Sequence, residues 1–362
     1  MHRPILSKAE CSVMRGVAII GIALHNYCHW LPSIIRENEY QFMQKNVDGL
    51  SGVLAAPDSN LPLHLLSFFG HYGVPLFLFL SAYGLGLKYE RPLPQGGYEG
   101  KKVGIWPFLS SHFVKLVRMM FAGFAAFLMV YALMPDSHHY TVEQVIAQLT
   151  MTINFMPNPD RMIWPGPYWF FGLMMQLYVI YRLLLYRRHW GVTVGLTAVC
   201  MAAQLLCDPE GETLNYLHYN FVGSMLPFGV GLLTARYGQL MSRRMCAIML
   251  LPSLYMVYYF ATSWQLWQLA PLAVVFTAIC FVKSLGITDI DSGNPLRVAY
   301  RPLQWVGSVS AAMFVCHPIT RKLFIPMSYH GDTYLGLLVY AITTIALSWL
   351  FNKIISLMAN TK

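Results

Sequence analysis

The chain has 362 residues, of which 56% are hydrophobic and only 11% are charged, and its formal net charge is +9. A soluble domain would carry roughly twice that share of charged residues, so the composition excludes a soluble globular protein. The positive charge would suit nucleic acid, but its distribution along the chain indicates a membrane protein instead.

Ten apolar segments are long enough to span a membrane as helices, which takes ~20 residues each. They are residues 12–32, 63–87, 116–134, 167–186, 190–206, 219–235, 245–262, 265–284, 303–323 and 333–352. The sequence therefore predicts an all-α polytopic protein in which residues 1–362 form one transmembrane domain. No small-residue cleavage site follows Trp30, so we expect the first segment to remain a span and not to be a signal peptide.

Lysine and arginine are distributed unevenly over the loops between these segments. If the N-terminus is cytoplasmic, twenty of the 25 Lys and Arg residues lie on the cytoplasmic side. The other five are Arg36, Lys45, Arg161, Arg321 and Lys322. This positive-inside pattern predicts that both termini are cytoplasmic, as an even number of spans requires.

The first span carries polar residues within an apolar run, MRGVAIIGIALHNYCHWL over Met14–Leu31. Arg15, His25, Asn26 and His29 fall within a helical sector of roughly 100°. Ionisable groups in a lipid-buried helix cost several kcal/mol each and mark a functional site by default. The sequence therefore predicts a polar stripe, with Arg15 at one end and the histidines ~15–21 Å along the helix.

Later segments add further candidates in chain order. The outer segment from Ser33 to Leu61 predicts an interfacial helix and loop, and the glycines of GHYGVPLFLFLSAYGLG (Gly70–Gly86) predict close helix packing. Lys115 and Arg118 begin the third span, where they serve either as topology determinants or as phosphate ligands.

Two later motifs carry aromatic or polar residues. Tyr168 and Trp169 lie in WPGPYWFFGLMMQLY (Trp164–Tyr178), a pattern typical of an interfacial aromatic belt. The ninth span places Ser310 and His317 on one helical face, where His317 could satisfy a helix end. Seven cysteines form no spaced framework, and with no CxxC or HExxH motif we expect no metal.

Five segments resemble the acyltransferase-3 family of membrane acyltransferases, in the family's order and over nearly the whole chain. They are RGVAIIGIALH, GVPLFLFLSAYG, FVKLVR, PYWFF and WVGSVSAAMFVCHP. The resemblance implies a ten-span core that moves an acyl group, usually acetyl from acetyl-CoA, to a hydroxyl of a surface saccharide or a small metabolite. No SGNH-type esterase domain follows the last span, so the membrane domain itself or a separate protein would complete the transfer.

The chain departs from the family's pattern of a basic residue, ten intervening residues and a histidine. Nine residues separate Arg15 from His25, which leaves the two roughly 80° apart on a helix. Asn26 occupies the in-register position, and His29 lies nearer to the face of Arg15. The resemblance assigns catalysis to His25, to His29 or to both, and His25 is favoured because it directly follows the apolar run.

The resemblance also implies roles for the other candidates. Arg15, Lys115 and Arg118 would hold the phosphates of acyl-CoA, and Arg15 would also act in catalysis by polarising the thioester; alternatively, Arg15 is an ordinary headgroup anchor. His317, Ser310, Tyr168 and Trp169 would contact the acceptor, with a sugar ring stacked on Tyr168 and Trp169. The expected partners are acyl-CoA, a saccharide hydroxyl and the bilayer of a bacterial inner membrane, with no nucleic acid, and homo-oligomerisation is left open. The alternatives are a secondary transporter and a polymerase or ligase of lipid-linked polysaccharide.

The charge asymmetry generates a topology prediction. A reporter that works only in the cytoplasm should be active when it is fused after Lys362, and a reporter that works only after export should be inactive there. The reason is that both termini are expected to be cytoplasmic. Paired fusions of a cytoplasm-dependent and an export-dependent reporter measure this, and activity of the export-dependent partner alone would contradict the ten-span topology.

Overall fold

A computed structural model describes residues 4–93, 97–134, 139–287 and 294–360. The chain is 77% helical, which confirms the predicted all-α class. Among the described residues, β1 (Arg91–Pro92) pairs antiparallel with β2 (Tyr98–Glu99). The chain ends, 1–3 and 361–362, lie outside the described residues, and the cytoplasmic location of the termini stays a prediction.

The helices of the described chain follow one another in a fixed order. They are α1 Lys8–Cys28, α2 Gln44–Ala55, α3 Leu61–Phe69, α4 Gly73–Tyr89, α5 Ile105–Ala132, α6 Val142–Leu149, α7 Pro159–Met162, α8 Trp169–Ile180, α9 Trp190–Leu205, α10 Glu212–Tyr219, α11 Phe221–Tyr237, α12 Arg243–Ala261, α13 Trp264–Trp267, α14 Ala270–Ser284, α15 Arg297–Ser308, α16 Ser310–Tyr329 and α17 Thr333–Asn360. Single 3₁₀ turns occupy Gly70–Tyr72, Ile153–Phe155 and Gly166–Tyr168, and α8 continues into a π-helical turn at Tyr181–Leu185.

Six helices of the described chain are long and apolar enough to cross a membrane. They are Lys8–Cys28, Leu61–Tyr89 (α3, its 3₁₀ turn and α4 together), Ile105–Ala132, Gly166–Leu185, Arg243–Ala261 and Thr333–Met358. Each overlaps one of the ten predicted spans, so the chain is a multi-pass membrane protein. The third predicted span, 116–134, is wrong at its start, because α5 begins at Ile105 and Lys115 and Arg118 lie within the helix.

The four remaining predicted spans are helical but shorter or interrupted. Residues 190–206 and 265–284 correspond to the shorter apolar helices Trp190–Leu205 and Ala270–Ser284. Residues 219–235 correspond to α11, which contains Pro227, and residues 303–323 are divided at Val309 between α15 and α16. The number of ten spans therefore stays a prediction.

Helix α1 lies at the centre of the packing, against α3, α4, α15 and α16. Its N-terminus is closed by a capping box in which Ser7 and Glu10 each bond the other's backbone N–H. The buried Glu10 carboxylate also accepts a hydrogen bond from Lys283 Nζ at 2.9 Å, which ties the start of α1 to the end of α14. This start is thereby fixed relative to the helices that surround it.

Glycines let other backbones approach α1 closely. A Cβ on Gly307 of α15 would overlap the backbone oxygen of Ser12, and one on Gly73 would overlap that of Ala18. A Cβ on Gly70 would lie 2.6 Å from the Cβ of His25, so the 3₁₀ turn at Gly70–Tyr72 sits directly against the histidine end of α1. These approaches confirm the close packing predicted from the small residues of this segment.

A buried ion pair links α11 to the residue that precedes β1. Arg236 of α11 bonds the carboxylate of Glu90, and it also donates to the backbone oxygens of Leu185 at 3.0 Å and Arg188 at 3.2 Å. Both charged side chains are fully buried, and removing one partner of such a pair costs about 3–5 kcal/mol. The pair therefore joins α4, α11 and the turn after α8.

The contact between α1 and α15 generates a stability prediction. Gly307→Ala should destabilise the fold by about 1–3 kcal/mol or more, because its Cβ meets the rigid backbone of Ser12. Thermal unfolding of the detergent-purified protein measures the effect. The control is Gly84→Ala, whose Cβ meets nothing within 4 Å and which should be neutral or stabilising. Equal melting temperatures for the two variants would contradict the close contact.

Candidate functional site

Two histidines meet at the C-terminal end of α1, and a third reaches them from the neighbouring 3₁₀ turn. The ring centroids of His25 and His29 are 4.7 Å apart, and those of His25 and His71 are 5.6 Å apart. His25 is only 1% exposed. The structure thus brings together the two histidines that the sequence predicted, and adds His71.

Backbone carbonyls fix the tautomers of His25 and His29. Nδ1 of His25 lies 2.8 Å from the oxygen of Ser67, and Nδ1 of His29 lies 3.0 Å from the oxygen of His25. Since a carbonyl oxygen can only accept, each Nδ1 carries the hydrogen. Each neutral ring therefore presents the lone pair of Nε2, which is the atom that can take a proton or bind a cation.

Two carboxylates from the segment after α1 face these rings. Glu39 Oε2 lies 3.7 Å from His25 Nε2, just beyond hydrogen-bonding distance. Oε2 of Glu37 is buried and, among the described residues, accepts no hydrogen bond. Burial raises the pKa of Glu37, and the nearby His25 opposes that rise.

Hydrogen bonds to distant parts of the chain hold this acidic segment in place. Asn46 of α2 donates to the oxygen of Glu37 at 2.7 Å, and Trp267 Nε1 donates to the oxygen of Asn38 at 3.0 Å. The backbone N–H of Phe42 donates to the oxygen of Pro209 at 2.9 Å. The carboxylates are therefore positioned by the tertiary fold and not by a local helix.

A cavity of about 200 Å³, here the His29 cavity, opens beside the histidines. Polar and charged side chains, aromatic side chains and an apolar floor make up its wall. The polar group is Asn26, His29, Glu37, Glu39, Asp160 and Arg321; the aromatic group is Trp30, Tyr40, Trp164, Trp169 and Tyr219; the floor includes Ile22, Val74, Phe170 and Phe314. His29 lines this cavity, whereas His25 packs behind it.

Arg321 of α16 brings a positive charge to the His29 cavity. Its Nη1 donates to Oδ1 of Asn26 at 3.2 Å and to the oxygen of Asn26 at 3.3 Å. The guanidinium also lies over the ring of Trp30, 5.1 Å from its centroid. These contacts fix the guanidinium at the wall of the cavity, close to the end of α1.

A second, smaller cavity of about 70 Å³, here the His218 cavity, lies on the other side of Glu39 and Tyr40. Its wall includes His71, His218 and Trp267. His218 stacks on Trp267 with ring centroids 4.9 Å apart, and burial lowers the pKa of His218 to about 4. Glu39 and Tyr40 therefore line both cavities.

The other predicted acceptor residues take different places. Trp169 lines both cavities, whereas Tyr168 is buried and donates its hydroxyl hydrogen to the oxygen of Val315 at 2.9 Å. His317 is fully buried, its Nδ1 lies 3.2 Å from the oxygen of Met313, and its ring contacts Phe314 of the cavity floor. Ser310 is buried at the start of α16, two turns before His317.

The predicted phosphate ligands lie elsewhere. Arg15 and Lys115 are exposed and Arg118 is half-buried, and within the described chain none of the three lines the His29 or the His218 cavity. Arg15 precedes His25 by ten residues of α1, which is ~15 Å along the axis. The structure thus separates a basic end of α1 from its histidine end.

Sequence reasoning missed Glu37, Glu39 and Asp160, and it noted Arg321 without assigning it to the site. The pair of acids in ENEY soon after two histidines was the available signal. Glu37 and Glu39 lie close to the histidines because residues 33–42 fold back over the end of α1. No local sequence pattern predicts the path of that segment.

A comparison with known families matches an acyltransferase domain of the acyltransferase-3 type over residues 9–353. The chain belongs to the acyltransferase-3 family. No curated protein and no solved structure matches it. Since the match covers nearly the whole chain, this acyltransferase-3 protein is a membrane acyltransferase, which confirms the resemblance drawn from its five segments.

Proposed function

We propose that this acyltransferase-3 protein is an O-acyltransferase of a bacterial inner membrane, which moves an acyl group, acetyl in the first instance, from cytoplasmic acyl-CoA to a hydroxyl of a cell-surface saccharide. The observation that carries the proposal is the His29 cavity, where an imidazole with a free Nε2 shares one wall with aromatic, carboxylate and guanidinium groups. A transfer assay on purified protein with radiolabelled acetyl-CoA and a saccharide acceptor tests it.

The composition of the cavity wall supports a saccharide as the acceptor. Trp30, Trp164 and Trp169 offer flat apolar faces on which the C–H face of a sugar ring can pack. The carboxylates of Glu39 and Asp160 accept hydrogen bonds, which sugar hydroxyls donate. An apolar acceptor would leave these polar groups unsatisfied, at a cost of about 1–3 kcal/mol each.

The chemical step assigned to the histidines is the removal of a proton. As the acceptor oxygen attacks the thioester carbonyl, the base takes the hydroxyl hydrogen, the C–S bond breaks, and the proton passes to the leaving CoA thiolate. Nδ1 of the base keeps its bond to a carbonyl throughout, so the ring does not turn. A transient acyl-enzyme is the variant of this mechanism.

Access to the cavity favours His29 as the group that contacts the hydroxyl. His29 lines the His29 cavity, while His25, which the sequence favoured, lies behind it against Glu39 and His71. We therefore propose His29 as the base and His25 as the ring that holds the end of α1 in place. Arg321 would compensate negative charge that develops on the thioester oxygen.

Arg15, at the other end of α1, and Lys115 and Arg118 of α5 are proposed as contacts for the phosphates of acyl-CoA. Cationic side chains suit this role, because CoA is highly anionic and the planar guanidinium of arginine can bond two phosphate oxygens at once. The acyl group would then reach the histidines along the ~15 Å of helix that separates Arg15 from His25.

The proposed donor site generates a binding prediction. Arg15→Ala should weaken CoA binding roughly 5-fold at low salt, and added salt should reduce both the affinity and the difference between the two proteins. Isothermal calorimetry measures it. Arg161→Ala is the matched control, since Arg161 is equally exposed but is predicted to lie on the opposite side of the membrane. If neither Arg15→Ala nor a change of ionic strength altered the affinity for CoA, the proposed phosphate contact of Arg15 would be contradicted.

A second prediction ranks the two histidines. His29→Ala should lower the turnover number by ~10²-fold or more while CoA affinity stays near that of the unmutated protein, since a general base acts on the chemical step. His25→Ala should cost less, ~10-fold or about 1.4 kcal/mol, because it loosens the position of His29. The reverse ranking would make His25 the base, as the sequence suggested, and unchanged activity in both folded variants would remove α1 from the mechanism.

A further inference from the structure

Three potential cation ligands converge at the end of α1. One ligand atom from each of His25, His29 and Glu37 lies within 4.8 Å of the other two. His25 and His29 are four residues apart on a helix, which is the spacing that directs two imidazoles to one side of it. Glu37 reaches the same place from the segment that folds back over the end of α1.

Two of the three ligand atoms are left without a hydrogen bond. Within the described chain, Nε2 of His25 and Oε2 of Glu37 are both buried and neither has a hydrogen-bond partner. Burying such atoms unpaired costs free energy, about 1–3 kcal/mol for a polar group and more for a charged one. A bound cation would satisfy both atoms at once.

The hydrogen bonds around the histidines are those that a metal site requires. Metal-ligating histidines donate their other ring N–H to a carbonyl or carboxylate, which fixes the tautomer and the ring orientation. Here Nδ1 of both rings faces a backbone oxygen, Ser67 for His25 and His25 itself for His29. Nε2 of each ring is therefore free to bind, and both rings are held in position.

We propose that His25, His29 and Glu37 form a binding site for a divalent transition-metal cation, with Zn²⁺ as the best match. Two imidazole nitrogens and one carboxylate are a ligand set that Zn²⁺ uses at sites with an open fourth position. The hard cations Mg²⁺ and Ca²⁺ prefer all-oxygen sites and fit this set poorly. The open position faces the His29 cavity, because His29 and Glu37 both line it.

Metal binding and the proposed base catalysis exclude each other, because both use Nε2 of His29. Bound Zn²⁺ should therefore inhibit acyl transfer, and this consequence alone rests on the proposed function. Binding of the cation itself does not depend on it. The site is thus a place where zinc would control access of the hydroxyl to the base.

Calorimetric titration of ZnCl₂ into the EDTA-treated, detergent-purified full chain tests the site. We expect about one Zn²⁺ per chain, with no comparable binding of Mg²⁺ or Ca²⁺. Glu37→Gln and His29→Gln should each weaken binding at least ~10-fold. The matched controls His330→Gln and Glu143→Gln change exposed residues away from the cluster and should leave it unchanged.

A second readout guards against variants that fail to fold. Co²⁺ added to the unmutated chain should give the visible absorption of a low-coordinate nitrogen and oxygen site, and Zn²⁺ should displace it. Failure to bind Zn²⁺, or binding that withstands both Glu37→Gln and His29→Gln, would overturn the proposal. Zinc binding by a chain that transfers no acyl group would support the site and contradict only the proposed acyl transfer.

Discussion

The hydrogen bond between His25 Nδ1 and the oxygen of Ser67 is the contact on which the rest of the site depends. An imidazole buried in an apolar helix must find a partner, and the last turn of a neighbouring helix offers carbonyl groups that lack one of their own. Ser67 lies in the last turn of α3, just before the 3₁₀ turn at Gly70–Tyr72. Because Gly70 has no Cβ, that 3₁₀ turn packs directly against His25. The end of α3 therefore provides both a close packing contact for His25 and the carbonyl that fixes its tautomer.

This arrangement separates the two ends of α1 by charge. The histidine end meets carboxylates and aromatic rings at the His29 cavity, whereas the Arg15 side chain is exposed. Glu10 and Lys283 pair at the Arg15 end and fix where α1 begins. The proposed donor, with several phosphates, and the proposed acceptor, with several hydroxyls, make opposite demands on a binding site, and the two ends of α1 differ in the way that both demands require.

Much of the fold and part of the site follow from sequence because they depend on local patterns. Apolar run length gives the helices, small residues give the close approaches of Gly70 and Gly73, and helical periodicity gives the pairing of His25 with His29. Glu37 and Glu39 could not be placed this way, because their segment is non-helical and is held by Trp267 and Asn46. The same holds for the division of residues 303–323 at Val309, which the continuous apolar pattern does not reveal.

The contacts of Asn26 explain how the departure from the family's spacing changes the position of the histidines. Asn26 occupies the register position where the family has its histidine, and in this chain it accepts a hydrogen bond from Arg321 at the cavity wall. A histidine at that position would point into the same cavity. Since this chain instead has His25, one residue earlier, that ring is rotated by about 100° around the helix axis from Asn26 and packs behind the wall against Glu39. His29, one turn after His25, returns an imidazole to the cavity. A shift of one residue therefore separates two placements, with His25 packed behind the cavity wall and His29 lining the cavity.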